Sequence, residues 1–219
     1  KNGTKVKFIP DSNIFKKFNF INDYIETQIS NYVFLNSGLT IYYNKKKFFS
    51  ENGLKDLLVK YTENQKISYP IIHLKDKDIE IALTHGYQYG EEYYSFVNGQ
   101  NTSSGGTHLA AFREAIVKTI RDFYKKDFDA SDIRASIISS ISIRIQNPIF
   151  ESQTKTKLGS TEMDENGLTV RVFINDFVKK NLDDFLHKNT NVSDELLKRI
   201  LQSEKERKAL SGIKKIANQ

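Results

Sequence analysis

The sequence predicts an α+β fold in which helices pack on one face of a single mixed β-sheet. Segments in which apolar and polar residues alternate indicate strands, and segments with apolar residues three and four apart indicate helices. From residue 39 onward these segments run strand, helix, strand, strand, helix, strand, helix, helix. This mixed order, without regular alternation of strands and helices, favours helices laid on a sheet.

Composition limits the classes of function. The chain has 219 residues, enough for one large domain, or one domain with appendages, that buries a core. It contains no Cys, which excludes a disulfide framework and thiolate chemistry. A net charge of +6 favours a polyanionic partner, although charges of both signs are interspersed. No apolar run approaches the ~20 residues of a membrane span. The four histidines lack metal-ligand spacing, so no metal site is predicted.

The first part of the chain is predicted to hold two strands and two helices. Residues 4–9 alternate and predict a short strand, and helical spacing begins at Ile21. Residues 39–43 predict a second strand, and residues 53–61 predict a short helix. The lysine run Lys45–Lys47 fits either a solvated hairpin tip or a nucleic-acid contact.

The middle of the chain predicts a hairpin followed by a turn-rich segment. Residues 79–83 alternate, and residues 93–97 are the expected hairpin partner. Residues 98–106 are rich in turn formers, but they lack the spacing of a phosphate-cradling glycine loop. Thr107 is the predicted N-cap of an amphipathic helix over residues 108–126.

Two residues of helix 108–126 have side chains that chemistry could use. Arg113 lies at the flank of the apolar stripe. Its stem could cover apolar surface while its charge stays in water. His108 is expected to be a structural histidine, because nothing in the sequence supplies it with a nucleophile or a metal partner.

The last part of the chain predicts one long strand and two helices. Residues 137–146 alternate and indicate a half-buried strand. Residues 170–187 predict a helix, and Ser193 is expected to cap the last one. Residues 203–215 are dominated by Lys, Arg and Glu, which is typical of an exposed helix leading out of a domain.

A polar loop lies between that strand and the following helix. Pro148 ends the ladder, because it has no backbone donor. An extended segment over residues 155–157 would point Lys155 and Lys157 in the same direction, which suits an anionic partner. An ordinary solvated loop is the alternative.

Residues 105–109 (GGTHL) with Phe112-Arg113, and residues 153–159 (QTKTKLG), form two blocks in this order. Together they resemble the B subunits of bacterial type IIA DNA topoisomerases, the gyrase and topoisomerase IV family, in which the second block looks like the "QTK" loop. Ser104 stands where the family pattern usually has an acidic residue. Shorter matches are residues 34–39, 96–98 and 147–151. The charged tail at 204–215 favours topoisomerase IV over gyrase.

The resemblance implies a transducer domain with a fold like domain 2 of ribosomal protein S5. Residues 1–11 would be the C-terminal remnant of a GHKL ATP-binding domain. Residues 12–190 would be the transducer domain, and residues 191–219 a linker helix towards the cleavage (TOPRIM) region. Because the chain begins at Lys1 rather than Met, we expect it to be a fragment.

The resemblance also implies roles for single residues. Gln153 and Lys155 would contact the γ-phosphate of ATP, and Lys155 would stabilise charge during hydrolysis, with Lys157 in a supporting role. Most of the nucleotide site, with Mg²⁺, would lie in the missing ATP-binding domain, so the fragment alone should be inactive. Arg113 is the candidate DNA contact. Implied partners are DNA, a second B subunit on ATP binding, and A subunits in a heterotetramer of two A and two B subunits, in the cytoplasm.

A different class of function stays open on composition. The chain could be a non-catalytic basic S5-like nucleic-acid-binding module, whose binding to nucleic acid would not depend on nucleotide. A self-contained small-molecule enzyme is disfavoured, because no nucleophile–base pair, metal spacing or carboxylate pair stands out.

Overall fold

The computed structural model describes residues 2–165 and 167–217, with side chains as far as residue 211. Lys1 and residues 218–219, at the outer ends of the expected remnant and linker, lie outside the described residues. Within these ranges the chain forms six helices and seven strands. They are α1 Asn22–Leu35, β1 Thr40–Tyr43, β2 Lys46–Phe49, α2 Leu54–Thr62, β3 Ile72–Lys75, β4 Ile79–His85, β5 Glu92–Val97, β6 Gln100–Asn101, α3 Thr107–Tyr124, α4 Ala130–Arg134, β7 Ile137–Ile143, α5 Val170–Lys188 and α6 Thr190–Ala217.

Five strands form the main mixed sheet, in the order β3-β4-β7-β5-β6. Strand β7 is central, antiparallel to β4 and parallel to β5. The predicted hairpin between residues 79–83 and 93–97 is therefore wrong, because β7 separates the two strands. The cause is not local. Strand β7 is buried along almost its whole length, so its backbone groups on both edges must bond to neighbouring strands rather than to water.

Helices cover both faces of this sheet. On one face, α3 and α5 pack against a core that includes Ile81 of β4 and Ile141 of β7. On the other face, Leu54 of α2 belongs to a second core with Ala82 and Ile138. The prediction of helices on one face only, with a half-buried final strand, is wrong. Ala82 and Ile138 stand at alternate positions of β4 and β7 and are fully buried, so this second face is buried as well.

The predictions for the N-terminal elements are confirmed except for the first strand. Residues 4–9 form no strand, and their side chains are exposed. Alternation alone does not make a strand, since an extended segment needs a ladder partner. Helix α1 begins at Asn22, as the spacing from Ile21 predicts. The expected leucines of α2 are fully buried; they are Leu54, Leu57 and Leu58.

The lysine run lies at the turn of the β1–β2 hairpin, as the first of its two interpretations predicts. Asn44 and Lys45 have φ of 46° and 66°, the conformation of a two-residue type I′ turn. Lys46 continues into β2, where its ammonium forms an ion pair with Glu26 of α1. The Lys47 ammonium lies 5.2 Å from the ring centroid of Phe49, so two of the three lysines are engaged within the fold.

Both predicted N-caps are wrong. The N-cap of α3 is Gly106, and the Thr107 hydroxyl donates instead to the Ser160 carbonyl oxygen at 2.6 Å. Helix α6 begins at Thr190, three residues before Ser193. The Ser193 hydroxyl donates back to the Thr190 carbonyl oxygen at 2.9 Å. The start of α3 is set by a tertiary contact, and the start of α6 by the neighbouring helix α5. A cap residue in the local sequence reveals neither boundary.

Candidate functional site

The segment from residue 149 to residue 160, called loop 149–160 below, is a small hairpin-like structure. Its stem is closed by a bridge between Phe150 and Leu158. The Glu151 amide donates to the Lys157 carbonyl oxygen at 3.0 Å, and the Gly159 amide donates to the Ile149 carbonyl oxygen at 2.9 Å. Leu158 is fully buried in the main core. The stem is therefore anchored, and residues 152–155 form an exposed tip.

The tip is a tight turn rather than an extended segment. The Lys155 amide donates to the Ser152 carbonyl oxygen at 3.0 Å, and Lys155 has φ of 55°, in the left-handed region. The prediction that Lys155 and Lys157 point in the same direction from an extended backbone is wrong, because side chains two residues apart align only in extended chain. The tip hydroxyls are also close, with Ser152 Oγ 2.7 Å from Thr154 Oγ1.

The two lysines of the loop differ in what they contact. The Lys157 ammonium lies 2.9 Å from a carboxylate oxygen of Glu151 across the stem. Within residues 2–165 and 167–211, the Lys155 ammonium and the Gln153 side-chain amide have no hydrogen bond or ion pair, and both residues are exposed. An anion approaching the tip would therefore meet Lys155 and Gln153 as free donors, with Lys157 already engaged.

The loop rests on the N-terminus of α3. The Leu158 amide donates to the Gly105 carbonyl oxygen at 3.0 Å, and the Thr107 amide donates to the Leu158 carbonyl oxygen at 3.2 Å. The Ser104 amide also donates to the Thr156 carbonyl oxygen at 2.9 Å. The two blocks on which the family resemblance rests, about fifty residues apart in sequence, thus contact each other through their backbones.

Arg113 lies further along α3, in a separate cluster. Its guanidinium donates to both carboxylate oxygens of Glu91, at 2.9 and 3.1 Å. Arg134 also donates to Glu91, at 3.2 Å, and so does the Tyr93 hydroxyl, at 2.7 Å. Burial alone would raise the pKa of Glu91, but hydrogen bonds from Tyr93 and Arg134 and the charge of Arg113 outweigh it and lower that pKa.

An open groove of about 610 Å³ runs beside this cluster. Four cationic and two acidic side chains line it, so cations are in excess along the lining, although Arg113 and Arg134 pair with Glu91 and Arg121 pairs with Asp127. They are Arg113, Lys118, Arg121 and Arg134, with Glu114 and Asp122. The side chain of Arg113 is 43% exposed. Its guanidinium lies 5.3 Å from the ring centroid of Tyr93, so both predicted roles, covering an apolar surface and facing a polyanion, are compatible with its position.

His108 lies in the first turn of α3, beside the crossing of helix and loop. It is fully buried, and burial lowers its pKa to about 4, so the ring is neutral at neutral pH. Its Nε2 lies 3.1 Å from the Thr102 hydroxyl, and its Nδ1 has no partner within the described part of the chain. These contacts agree with the structural role predicted for it.

Sequence reasoning missed Glu91 and Leu158. Glu91 holds Arg113 and Arg134 together, and its position before a strand gave no signal of a pair twenty-two residues away. Leu158 did carry a signal, because it is the only large apolar residue between Glu151 and Ser160. An isolated apolar residue in a polar loop often anchors it.

Two kinds of site do not occur in the part of the chain described. Over residues 2–165 and 167–217, no helix combines the length and apolarity needed to cross a bilayer. The same residues contain no group of three or more His, Asp or Glu side chains placed to hold a metal ion.

Sequence comparison identifies the family. A family model described as DNA gyrase B matches residues 21–215. The B subunit of DNA topoisomerase 4 from Borreliella burgdorferi is 39% identical over 219 residues, covering 100% of this chain and 35% of that protein. The B subunit of DNA gyrase from Clostridium acetobutylicum is 29% identical over 237 residues, covering 99% of this chain and 36% of that protein. The chain thus spans about a third of the length of these relatives.

Solved structures of related proteins confirm the α+β fold. The 43K ATPase domain of Thermus thermophilus gyrase B superposes with a TM-score of 0.76 at 20% identity, covering 94% of this chain and 59% of that one. The topoisomerase IV ATP-binding domain of Francisella tularensis superposes with a TM-score of 0.70 at 22% identity, covering 90% and 57%. At these identities the superpositions establish the fold alone. The family match extends over most of the sequence, and the chain belongs to the DNA gyrase B family.

Proposed function

We propose that this chain is the transducer domain in the B subunit of a type IIA DNA topoisomerase, with the S5-like fold of that domain. In this proposal it couples ATP binding and hydrolysis to DNA strand passage. Residues 12–190 form the transducer, residues 1–11 end a preceding GHKL ATP-binding domain, and residues 191–219 lead towards a cleavage region. The observation that carries the proposal is the exposed Lys155 ammonium, which is free of partners in the described structure and stands on an anchored stem.

The free donors at the tip fit a terminal phosphate. Lys155 offers a compact positive charge with three donors, and Gln153 offers amide donors two residues away. ATP with Mg²⁺, when bound, supplies the phosphoanhydride bond that is broken, and most of its site lies in the ATP-binding domain. Lys155 then stabilises negative charge on the γ-phosphate oxygens as it develops. Lys157, paired with Glu151, supports the stem.

This arrangement couples nucleotide state to domain orientation. The phosphate belongs to a site on a separate domain, so Lys155 reaches it only when the two domains close. A ligand shifts a conformational equilibrium only through contacts that differ between the states, and the contact with Lys155 is such a difference. The general base and the magnesium ligands are supplied by the ATP-binding domain, so the chain alone does not hydrolyse ATP.

The partners follow from the same proposal. The cytoplasmic enzyme contains two A and two B subunits. This B subunit associates with the second B subunit when ATP binds, and DNA passes between the protomers. The groove beside Arg113, with its excess of cationic side chains, is the surface of this chain that faces DNA.

The test compares this chain with the complete subunit encoded by its reading frame. We expect that frame to encode an ATP-binding domain before Lys1. We also expect ATP turnover by the purified complete subunit and none by residues 1–219 alone. Turnover that stays proportional to the concentration of the 219-residue chain through repeated purification would contradict the proposal.

The cationic groove also supports a second candidate, a non-catalytic nucleic-acid-binding module. That candidate requires the isolated chain to bind duplex DNA equally well with and without nucleotide. It also requires Lys155→Ala to leave ATP turnover by the complete subunit unchanged. These two measurements separate the candidates, because the transducer role predicts a large effect of Lys155→Ala.

A further inference from the structure

We infer that Gly106 and Thr107 are positioning residues for Lys155. They fix the stem of loop 149–160 on the first turn of α3, so that the loop and the helix move as one body. The inference rests on the proposed role of Lys155, and it concerns residues that contact neither the phosphate nor the tip of the loop.

Gly106 allows the stem to lie directly against the helix. Its φ of 130° is one that L side chains rarely adopt. A Cβ at this position would lie 2.3 Å from the Leu158 carbonyl oxygen and 2.5 Å from the Leu158 amide nitrogen. Both are backbone atoms of the stem, so a side chain at residue 106 can be accommodated only if the stem moves.

Thr107 holds the same strand of the stem by two bonds. Its amide donates to the Leu158 carbonyl oxygen at 3.2 Å, and its hydroxyl donates to the Ser160 carbonyl oxygen at 2.6 Å. The hydroxyl of Ser160 in turn accepts from the Ile149 amide at 2.7 Å, on the other strand of the stem. Thr107 thus connects α3 to both strands of the stem.

The position of the lysine depends on this attachment. Lys155 is three residues from Leu158, which is buried, so the stem sets where the tip can lie. Misplacing a reacting group by about 1 Å can cost roughly 10²-fold in rate. Helix α3 also carries Arg113. A movement of the loop together with α3 therefore also moves the helix that borders the cationic groove.

The test of the Thr107 hydroxyl uses three variants of the complete subunit, and Gly106→Ala and Lys155→Ala are measured beside them. Thr107→Val removes the hydroxyl at constant size, and Thr107→Ser retains it. Thr84→Val is the matched control. Thr84 lies in β4, away from the loop, and its hydroxyl donates to the Tyr69 carbonyl oxygen at 2.8 Å. We expect Thr107→Val to lower kcat about fivefold, the effect of one lost hydrogen bond.

The readouts separate positioning from stability. ADP has no γ-phosphate, so its Kd should not change in Thr107→Val, and Thr107→Ser should restore kcat to within twofold. Thr84→Val should lower Tm and leave kcat unchanged. Gly106→Ala should lower kcat more than Thr107→Val if the subunit folds, and Thr107→Val carries the test if it does not.

Three outcomes would overturn the inference in distinguishable ways. Wild-type kcat in Thr107→Val, in a subunit that Lys155→Ala inactivates, would remove the positioning role and leave the proposed function standing. Near-wild-type turnover by Lys155→Ala would overturn the proposed function, and this inference with it. Equal losses of Tm and kcat in Thr107→Val and Thr84→Val, without rescue by Thr107→Ser, would reduce Thr107 to a structural residue.

Discussion

Arg207 of α6 and Asp132 of α4 form a two-point ion pair, with Nε 2.8 Å from Oδ1 and Nη2 2.7 Å from Oδ2. The carboxylate is almost fully buried, while the guanidinium is 44% exposed. Paired hydrogen bonds of this kind fix geometry as well as charge. The charged tail predicted to lead out of the domain is therefore tied back to α4 at residue 207.

Removing this pair should loosen the outer part of α6. In Arg207→Ala the buried Asp132 carboxylate loses both donors, so we expect a lower melting temperature and faster amide exchange in residues 204–211, with the sheet amides unchanged. Lys208→Ala is the control, because Lys208 pairs with Glu204 on the same helix and with no other carboxylate among the side chains described. Equal exchange in the two variants would show that the pair does not hold the helix.

The second prediction concerns Arg113 and DNA. Arg113→Gln in the complete subunit should reduce the salt slope of DNA affinity by roughly 1, the effect of one lost phosphate contact. Glu91 keeps Arg134 and Tyr93 as donors, so the fold should survive the change. Affinity is measured against salt concentration, with Lys198→Gln, on α6 and outside the groove, as the charge-matched control. Identical slopes for wild type and Arg113→Gln would leave Arg113 with a packing role only.

The third prediction is a loss of stability in mild acid. His85 is fully buried. Its Nδ1 accepts from the Tyr69 hydroxyl, and its Nε2 donates to the Ile133 carbonyl oxygen at 2.8 Å. Burial, aided by the charge of Arg199, lowers the pKa of His85 to about 4, and burial lowers that of His108 to about 4 as well. Both rings are therefore neutral in the folded chain near pH 5.

The sign of the effect follows from proton binding. Below the ordinary histidine pKa of about 6.5 the unfolded chain binds protons that the folded chain does not, so the free energy of unfolding falls as pH falls from about 6.5 to about 4. Near pH 5 we expect a slope of roughly 1.4 kcal/mol per pH unit for each histidine. Denaturant melts at several pH values measure it, and His108→Asn should remove about half of it. A flat profile between pH 6.5 and pH 5 would contradict the assigned burial.

Local patterns predicted most elements, but not how the strands pair. Ile137, Ile141 and Ile143 alternate along β7 as expected, yet Ser140 on the opposite face is also fully buried. A serine at such a position looks like part of a solvent face in sequence. It is covered here because other parts of the chain pack over it, and the parallel pairing of β5 with β7 is equally invisible to a local pattern.

The candidate site shows the same division. Residue types located the loop, because Gln153 and Lys155 stand in a recognisable block. The left-handed backbone at Lys155 and the pairing of Lys157 with Glu151 depend on how the stem closes, which spacing does not encode. The packing of the Leu158 backbone against Gly106 likewise requires two segments that are distant in sequence to meet.

The last prediction concerns the two lysines of the loop. Lys155 stands free at the tip within the described structure, whereas Lys157 is paired with Glu151 across the stem. Losing one preorganised group that stabilises developing charge costs on the order of 10²–10³ in rate. We therefore expect Lys155→Ala in the complete subunit to reduce ATP turnover by about that factor, and Lys157→Ala to reduce it clearly less.

Stability provides the control for this comparison. Lys155 is exposed, and its side chain forms no hydrogen bond or ion pair within the described residues, so its removal should cost under about 0.5 kcal/mol. Lys157→Ala breaks an exposed ion pair, which contributes at most about 1 kcal/mol. Thermal melts of the 219-residue chain should therefore be nearly unchanged in both variants, while steady-state ATPase assays of the complete subunit separate them. If Lys155→Ala hydrolysed ATP within a few-fold of wild type, the free ammonium at the tip would have no part in hydrolysis, and the coupling role of loop 149–160 would be wrong.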